Sequence, residues 1–158
     1  MSTAARVVAA LRERGETLAF CESLTAGLAA ATVASIPGAS AVLRGGLVTY
    51  ATEVKAHFLH TSVEALEDQG VVSAETAAEM AAAACAETDA DWGIGLTGVA
   101  GPDLQEGKPA GTVYVGVCRR GVGKRGVLVQ LEGGERNAIR KAAVDAALSL
   151  VLSTLAEN

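Results

Sequence analysis

Thr17-Leu18-Ala19-Phe20-Cys21-Glu22-Ser23-Leu24-Thr25-Ala26-Gly27 is a short apolar run that passes straight into an alanine-rich stretch. Residues 17–21 read as a buried strand. Leu24 to about Ser35 reads as a helix, ended by Pro37-Gly38. The same alternation continues on both sides. Residues 2–14 have Val7, Val8 and Leu11 at helical spacing and stop at Gly15. Residues 41–50 form a strand with a glycine kink at Gly45-Gly46. Short helices follow near 52–59 and 62–69, then a helix over 74–87 capped by Ser73, with Glu75 in its first turn. A strand over 91–97 comes next. The stretches 111–119 and 124–131 form a hairpin around Gly121-Val122-Gly123. A last helix over about 134–155 turns Ile139, Ala143, Ala147, Leu148, Val151 and Leu152 inward. Helices alternating with apolar strands predict an α/β layered domain, and the hairpin makes its sheet mixed.

The chain has 158 residues, enough for one domain spanning 1–158. A net charge of −5 and 3% aromatic residues leave neither a basic footprint nor a stacking platform, so nucleic acid is not an expected partner. Cys21, Cys85 and Cys118 are odd in number and widely spaced, which fits a reducing compartment rather than a disulfide framework or zinc cluster. No apolar run reaches the roughly 20 residues of a membrane span. The N-terminus lacks the apolar core of a signal peptide. The expected location is the cytoplasm, with no membrane partner.

Two features carry less than they promise. Gly93-Ile94-Gly95-Leu96-Thr97-Gly98 matches a dinucleotide fingerprint, but it lies inside a strand and no helix opens after it. His57 and His60 have no third ligand at a recognisable spacing, so no metal is assigned. The informative position is Ser23, between strand and helix. Its hydroxyl has two readings there: a cap for the helix, shared with Thr25, or a nucleophile beside N–H groups that stabilise an oxyanion. A nucleophile needs a base, and the candidates are His57, His60 and the four lysines Lys55, Lys108, Lys124 and Lys141. Lys124 and Lys141 read as surface charges, whereas Lys55 follows the strand ending at Tyr50 and can meet the end of the first strand. Tyr50 would relay a proton or orient the nucleophile. Two further segments suit an anion. The glycine-rich loop from Thr97-Gly98-Val99-Ala100-Gly101-Pro102-Asp103 to Lys108-Pro109-Ala110-Gly111-Thr112 exposes backbone donors. Arg136 and Arg140 lie one turn apart and can hold a phosphate.

Taken in order, these segments resemble the C-terminal domain of the CinA family, whose members include stand-alone nicotinamide-nucleotide amidohydrolases (NMN deamidases, PncC type). The resemblance is carried by Glu22-Ser23-Leu24-Thr25-Ala26-Gly27, Gly45-Gly46-Leu47-Val48-Thr49-Tyr50 with Lys55, and Val71-Val72-Ser73-Ala74-Glu75. It continues through Thr97 to Asp103, Lys108 to Val113, and Gly134-Glu135-Arg136 with Arg140. It implies a three-layer α/β/α domain with a mixed, roughly five-stranded sheet, usually dimeric. It also implies hydrolysis of the carboxamide of nicotinamide mononucleotide (NMN) to nicotinate mononucleotide and ammonia, with no cofactor. The family's catalytic serine, tyrosine and lysine fall on Ser23, Tyr50 and Lys55. Substrate contacts are expected from Glu22, Thr25, Gly27, Gly46, Thr97, Gly98, Ala100, Gly101, Arg136 and Arg140. The chain departs from the family pattern at Leu24-Thr25-Ala26, where many members read Cys-Thr-Gly. It departs again at Leu104-Gln105, where Gly-Gly is usual.

Overall fold

The computed structural model describes residues 1–158. Six helices and five strands follow one another: α1 (Thr3–Arg14), β1 (Leu18–Glu22), α2 (Leu28–Ala34), β2 (Leu43–Val48), α3 (Thr52–Leu59), α4 (Val63–Gln69), α5 (Ala74–Thr88), β3 (Trp92–Gly98), β4 (Thr112–Arg119), β5 (Gly123–Gln130) and α6 (Arg136–Ala156). The sheet runs β2-β1-β3-β4-β5. β1 is parallel to both β2 and β3, and the β4–β5 hairpin adds two antiparallel strands. Helices α1, α2 and α6 cover one face and α5 covers the other, giving three layers. None of the helices is long and apolar enough to cross a membrane.

The central strands β1, β3 and β4 alternate in size rather than polarity, because there both faces of the sheet are buried, whereas the edge strands β2 and β5 are partly exposed. Leu18, Phe20, Trp92, Ile94, Leu96, Val113, Val115 and Val117 fill the core under α1, α2 and α6. The intervening positions are small: Ala19 and Cys21 on β1, Gly93 and Gly95 on β3, Gly116 on β4, Gly126 on β5. Gly95 pairs with Gly116, and Gly116 with Gly126, so a glycine row crosses three strands under α5. A Cβ on Gly116 would stand 1.9 Å from the carbonyl oxygen of Ala77. The alanines of α5 and this glycine row let helix and sheet backbones approach directly. Here lies the reason for the fingerprint-like glycines at 93 and 95.

Local signals place most ends. Ser2, Ser62 and Ser73 each accept a backbone N–H as N-caps, and Gly15 closes α1 in the left-handed region. The register of β2 is irregular at Arg44, just before the expected kink: Leu18 faces Leu43 but Ala19 faces Gly45, and Gly45 and Gly46 themselves pair in register. Strand β2 is shorter than the expected 41–50, running Leu43–Val48 after a 3₁₀ turn over Ala39–Ala41 and leaving Tyr50 beyond its end; the start of α2 differs most from expectation. Helix α2 begins at Leu28, not Leu24, because Ala26 (φ 49°) and Gly27 (φ 98°) are left-handed and hold Ser23–Gly27 in a turn. Neither Ser23 nor Thr25 caps the helix. The cap is Glu22, whose buried carboxylate accepts the N–H groups of Ala29 (2.8 Å) and Ala30 (3.0 Å).

Candidate functional site at the end of the first strand

From β1 the chain crosses to β2 on one side, then returns to β3 on the other. Such a switch point leaves a crevice beyond the carboxyl ends of the strands, where α/β proteins bind ligands. A cleft of about 380 Å³ lies there, lined among others by Ser23, Tyr50, Lys55, Ala100, Gly101 and Arg136. That volume falls within the range of small-molecule sites.

Ser23 is fixed directly after β1 by its N–H, which donates to Leu96 C=O at 2.9 Å. Lys55 projects from the first turn of α3 into the interior and is 1% exposed. Its Nζ lies 3.0 Å from Ser23 Oγ. No carboxylate forms an ion pair with it. Burial pushes the Lys55 pKa below its ordinary 10.5, and attraction from Cys21 and Glu106 opposes this only in part. A buried amine with a depressed pKa, in contact with a hydroxyl, is equipped to accept that hydroxyl's proton. Cys21 lies next door on β1, but burial pushes its thiol up to about 11.

The remaining candidates divide. Arg136, at the start of α6, reaches across the mouth of the cleft, donating from Nη1 to Gly101 C=O and from Nη2 to Tyr50 Oη (2.8 Å). Tyr50 is 56% exposed and bonded to Arg136, with no hydrogen bond to Ser23 or Lys55; it forms a wall of the cleft instead of bridging the pair. Gly98, Ala100 and Gly101 line the cleft. Glu22, Thr25, Gly27, Gly46 and Thr97 do not. Glu22 is occupied capping α2, and Thr97 Oγ1 donates to Val71 C=O at 3.0 Å. Gly27 and Gly46 pack near Val48 and Ala30. Arg140 also stands outside, so the two arginines do not converge on one anion. Its Nε and Nη2 donate to the carbonyls of Leu24 (2.9 Å) and Thr25 (3.0 Å).

One residue escaped sequence reasoning. Glu106, at φ 52°, accepts the N–H groups of Val71 (2.8 Å) and Val72 (2.9 Å). Lys108 Nζ donates to Val72 C=O at 2.7 Å. These bonds clamp the tip of the glycine-rich loop to the segment before α5 and hold Leu104 and Gln105 at the cleft. A glutamate before a loop glycine carries no local signal of such a long-range role.

Fold and site together define a three-layer α/β/α protein in which a buried lysine meets a cleft-lining serine at the switch point of a mixed sheet. The chain belongs to the CinA C-terminal domain family, whose model matches residues 1–155. It is similar to CihA, a competence/damage inducible protein from Agrobacterium tumefaciens, at 32% identity and TM-score 0.89, covering 96% of this chain and 92% of that one. It is also similar to a CinA superfamily protein from Klebsiella pneumoniae, at 31% identity and TM-score 0.92, covering 99% and 97%. A competence-damage inducible protein of Streptococcus pneumoniae is 46% identical over 154 residues, 98% of this chain. The chain spans 37% of the length of that curated relative.

Proposed function

We propose that this protein is a serine amidohydrolase that converts the carboxamide of NMN to the carboxylate of nicotinate mononucleotide, releasing ammonia. The observation that carries this reading is the 3.0 Å contact between Ser23 Oγ and the buried, carboxylate-free Lys55 amine. With the amine neutral, Ser23 donates its proton along that contact while Oγ attacks the carboxamide carbon. Lys55, now an ammonium, returns the proton to the departing nitrogen. The acyl–Ser23 ester forms as the C–N bond breaks and ammonia leaves. Water, deprotonated by the same amine, then opens the ester and restores Ser23.

The rest of the cleft suits a mononucleotide. Arg136 is the cation at the mouth and binds the phosphate through the guanidinium N–H groups that Gly101 and Tyr50 leave free. The backbone of Ala100 and Gly101, free of bulky side chains, lies against the ribose. Tyr50 steadies Arg136 and walls the cleft. Arg140 takes no part in phosphate binding.

The test is ammonia release from NMN, nicotinamide riboside and nicotinamide by purified protein, with Ser23→Ala alongside. The reading predicts turnover of NMN, strong preference for the phosphorylated substrate, and loss of turnover with retained NMN binding in Ser23→Ala. Binding without ammonia release would make the protein a nucleotide-binding module. Turnover of a different amide in preference to NMN would keep the chemistry and overturn the substrate.

A further inference from the structure

Attack at an amide leaves negative charge on the carbonyl oxygen, which needs donors that are free and correctly aimed. Ser23–Ala26 forms a tight turn in which Ala26 N–H donates to Ser23 C=O at 3.0 Å. The N–H groups of Leu24 and Thr25, at the centre of this turn, donate to nothing within the chain. They sit directly after the candidate nucleophile. The central peptide of such a turn can rotate between the type I and type II arrangements, which reverses the direction of its N–H.

Arg140 grips this peptide from α6. Its Nε donates to Leu24 C=O at 2.9 Å, its Nη2 to Thr25 C=O at 3.0 Å, and its Nη1 is braced by Asn137 Oδ1 at 3.0 Å. In a planar trans peptide the N–H points opposite to the C=O. Fixing the Leu24 carbonyl therefore fixes the Thr25 N–H. The Thr25 side chain supplies no alternative anchor, since its buried Oγ1 has no hydrogen-bond partner. On the other flank the turn is tied by Glu22 to the start of α2.

We propose that Arg140 is a positioning residue: it locks the Ser23–Ala26 turn so that the unpaired N–H of Leu24, which lines the cleft beside Ser23, forms the oxyanion hole for reaction at Ser23. The inference rests on the reading of Ser23 as nucleophile, and its test separates the two. A fluorophosphonate reacts with an activated serine by forming the Oγ–P bond and breaking P–F. Fluoride leaves, the serine proton goes to the Lys55 amine, and the phosphoryl oxygen occupies the oxyanion position. The rate of Ser23 modification, followed by intact mass, then reports the hole without requiring NMN.

Arg140→Met should slow phosphonylation and lower kcat for ammonia release by at least about tenfold, toward the 10²–10³-fold that loss of one oxyanion donor costs. KM for NMN should stay within about threefold, and the pH midpoint of kcat should not move, because Arg140 touches neither substrate nor Lys55. Millimolar guanidinium should restore part of the rate in Arg140→Ala, which a general loss of packing would not allow. If Arg140→Met does not fold, Arg140→Lys, which keeps the charge but lacks the rigid fork that spans the two carbonyls, should show the same slowing in the same readouts. Equal phosphonylation rates in wild type and variant overturn the role of Arg140 while leaving Ser23 as nucleophile. A wild type whose Ser23 is not modified at all overturns the nucleophile itself, and this inference with it.

Discussion

Replacing Lys55 by methionine should move activity and stability in opposite directions. The side chain is 1% exposed, makes one side-chain hydrogen bond, to Ser23, and has no ion pair. Methionine has nearly the same length and no charge. Removing a general base costs about 10²–10⁴-fold in rate, or about 2.7–5.4 kcal/mol of transition-state stabilisation. Removing a buried amine that no ion pair holds should meanwhile stabilise the fold, because burial penalises its charged form. The pH dependence fixes the sign. Because folding lowers the lysine pKa below 10.5, the unfolded chain binds more protons between the folded pKa and 10.5, so wild-type stability rises with pH across that window. The advantage of Lys55→Met should be largest below the folded pKa and shrink as the pH approaches 10.5. Wild-type kcat should rise through the same depressed pKa. Urea melts between pH 6 and 10 and ammonia-release kinetics measure both. Arginine distinguishes a base from a simple cation, since guanidinium holds its proton. An active Lys55→Arg variant, or a Lys55→Met variant less stable than wild type at neutral pH, would refute the reasoning.

Arg136→Ala should weaken NMN binding by about 1.5–3 kcal/mol, the worth of a hydrogen bond to a charged group, and affect nicotinamide riboside far less; steady-state KM values for the two substrates check this. Gly116→Ala places a methyl group 1.9 Å from the Ala77 carbonyl and forces α5 more than an ångström off the sheet. It should cost at least about 3 kcal/mol in urea, whereas Gly123→Ala, with nothing within 4 Å, should stay within about 0.5 kcal/mol. Glu22→Gln substitutes a donor for one acceptor facing the start of α2 and should lower stability by about 1.5–3 kcal/mol, read as a shift in urea midpoint at unchanged slope.

The order of helices and strands was legible in the sequence because it is set locally. Spacing buries Val7, Val8 and Leu11 together, Ser73 caps α5, and Gly15 ends α1. Ser23 and Lys55 were legible as candidates from their places beside strand ends, among other possible bases, and their roles came from the family resemblance. What the chain order could not supply was the purpose of the small residues. Gly95, Gly116 and Gly126 belong to three strands, and only strand pairing aligns them beneath α5. The two arginines show the same limit. Arg136 and Arg140 are equivalent by spacing on a helix, yet four residues advance the chain by a full turn, so one reaches the cleft and the other the back of the Ser23 turn. Glu22 and Glu106 likewise acquire partners 7 and about 35 residues away. Local periodicity determines which side chains point inward; which atoms they meet there is decided by the long-range packing of α6, the glycine-rich loop and the carboxyl ends of β1 and β3.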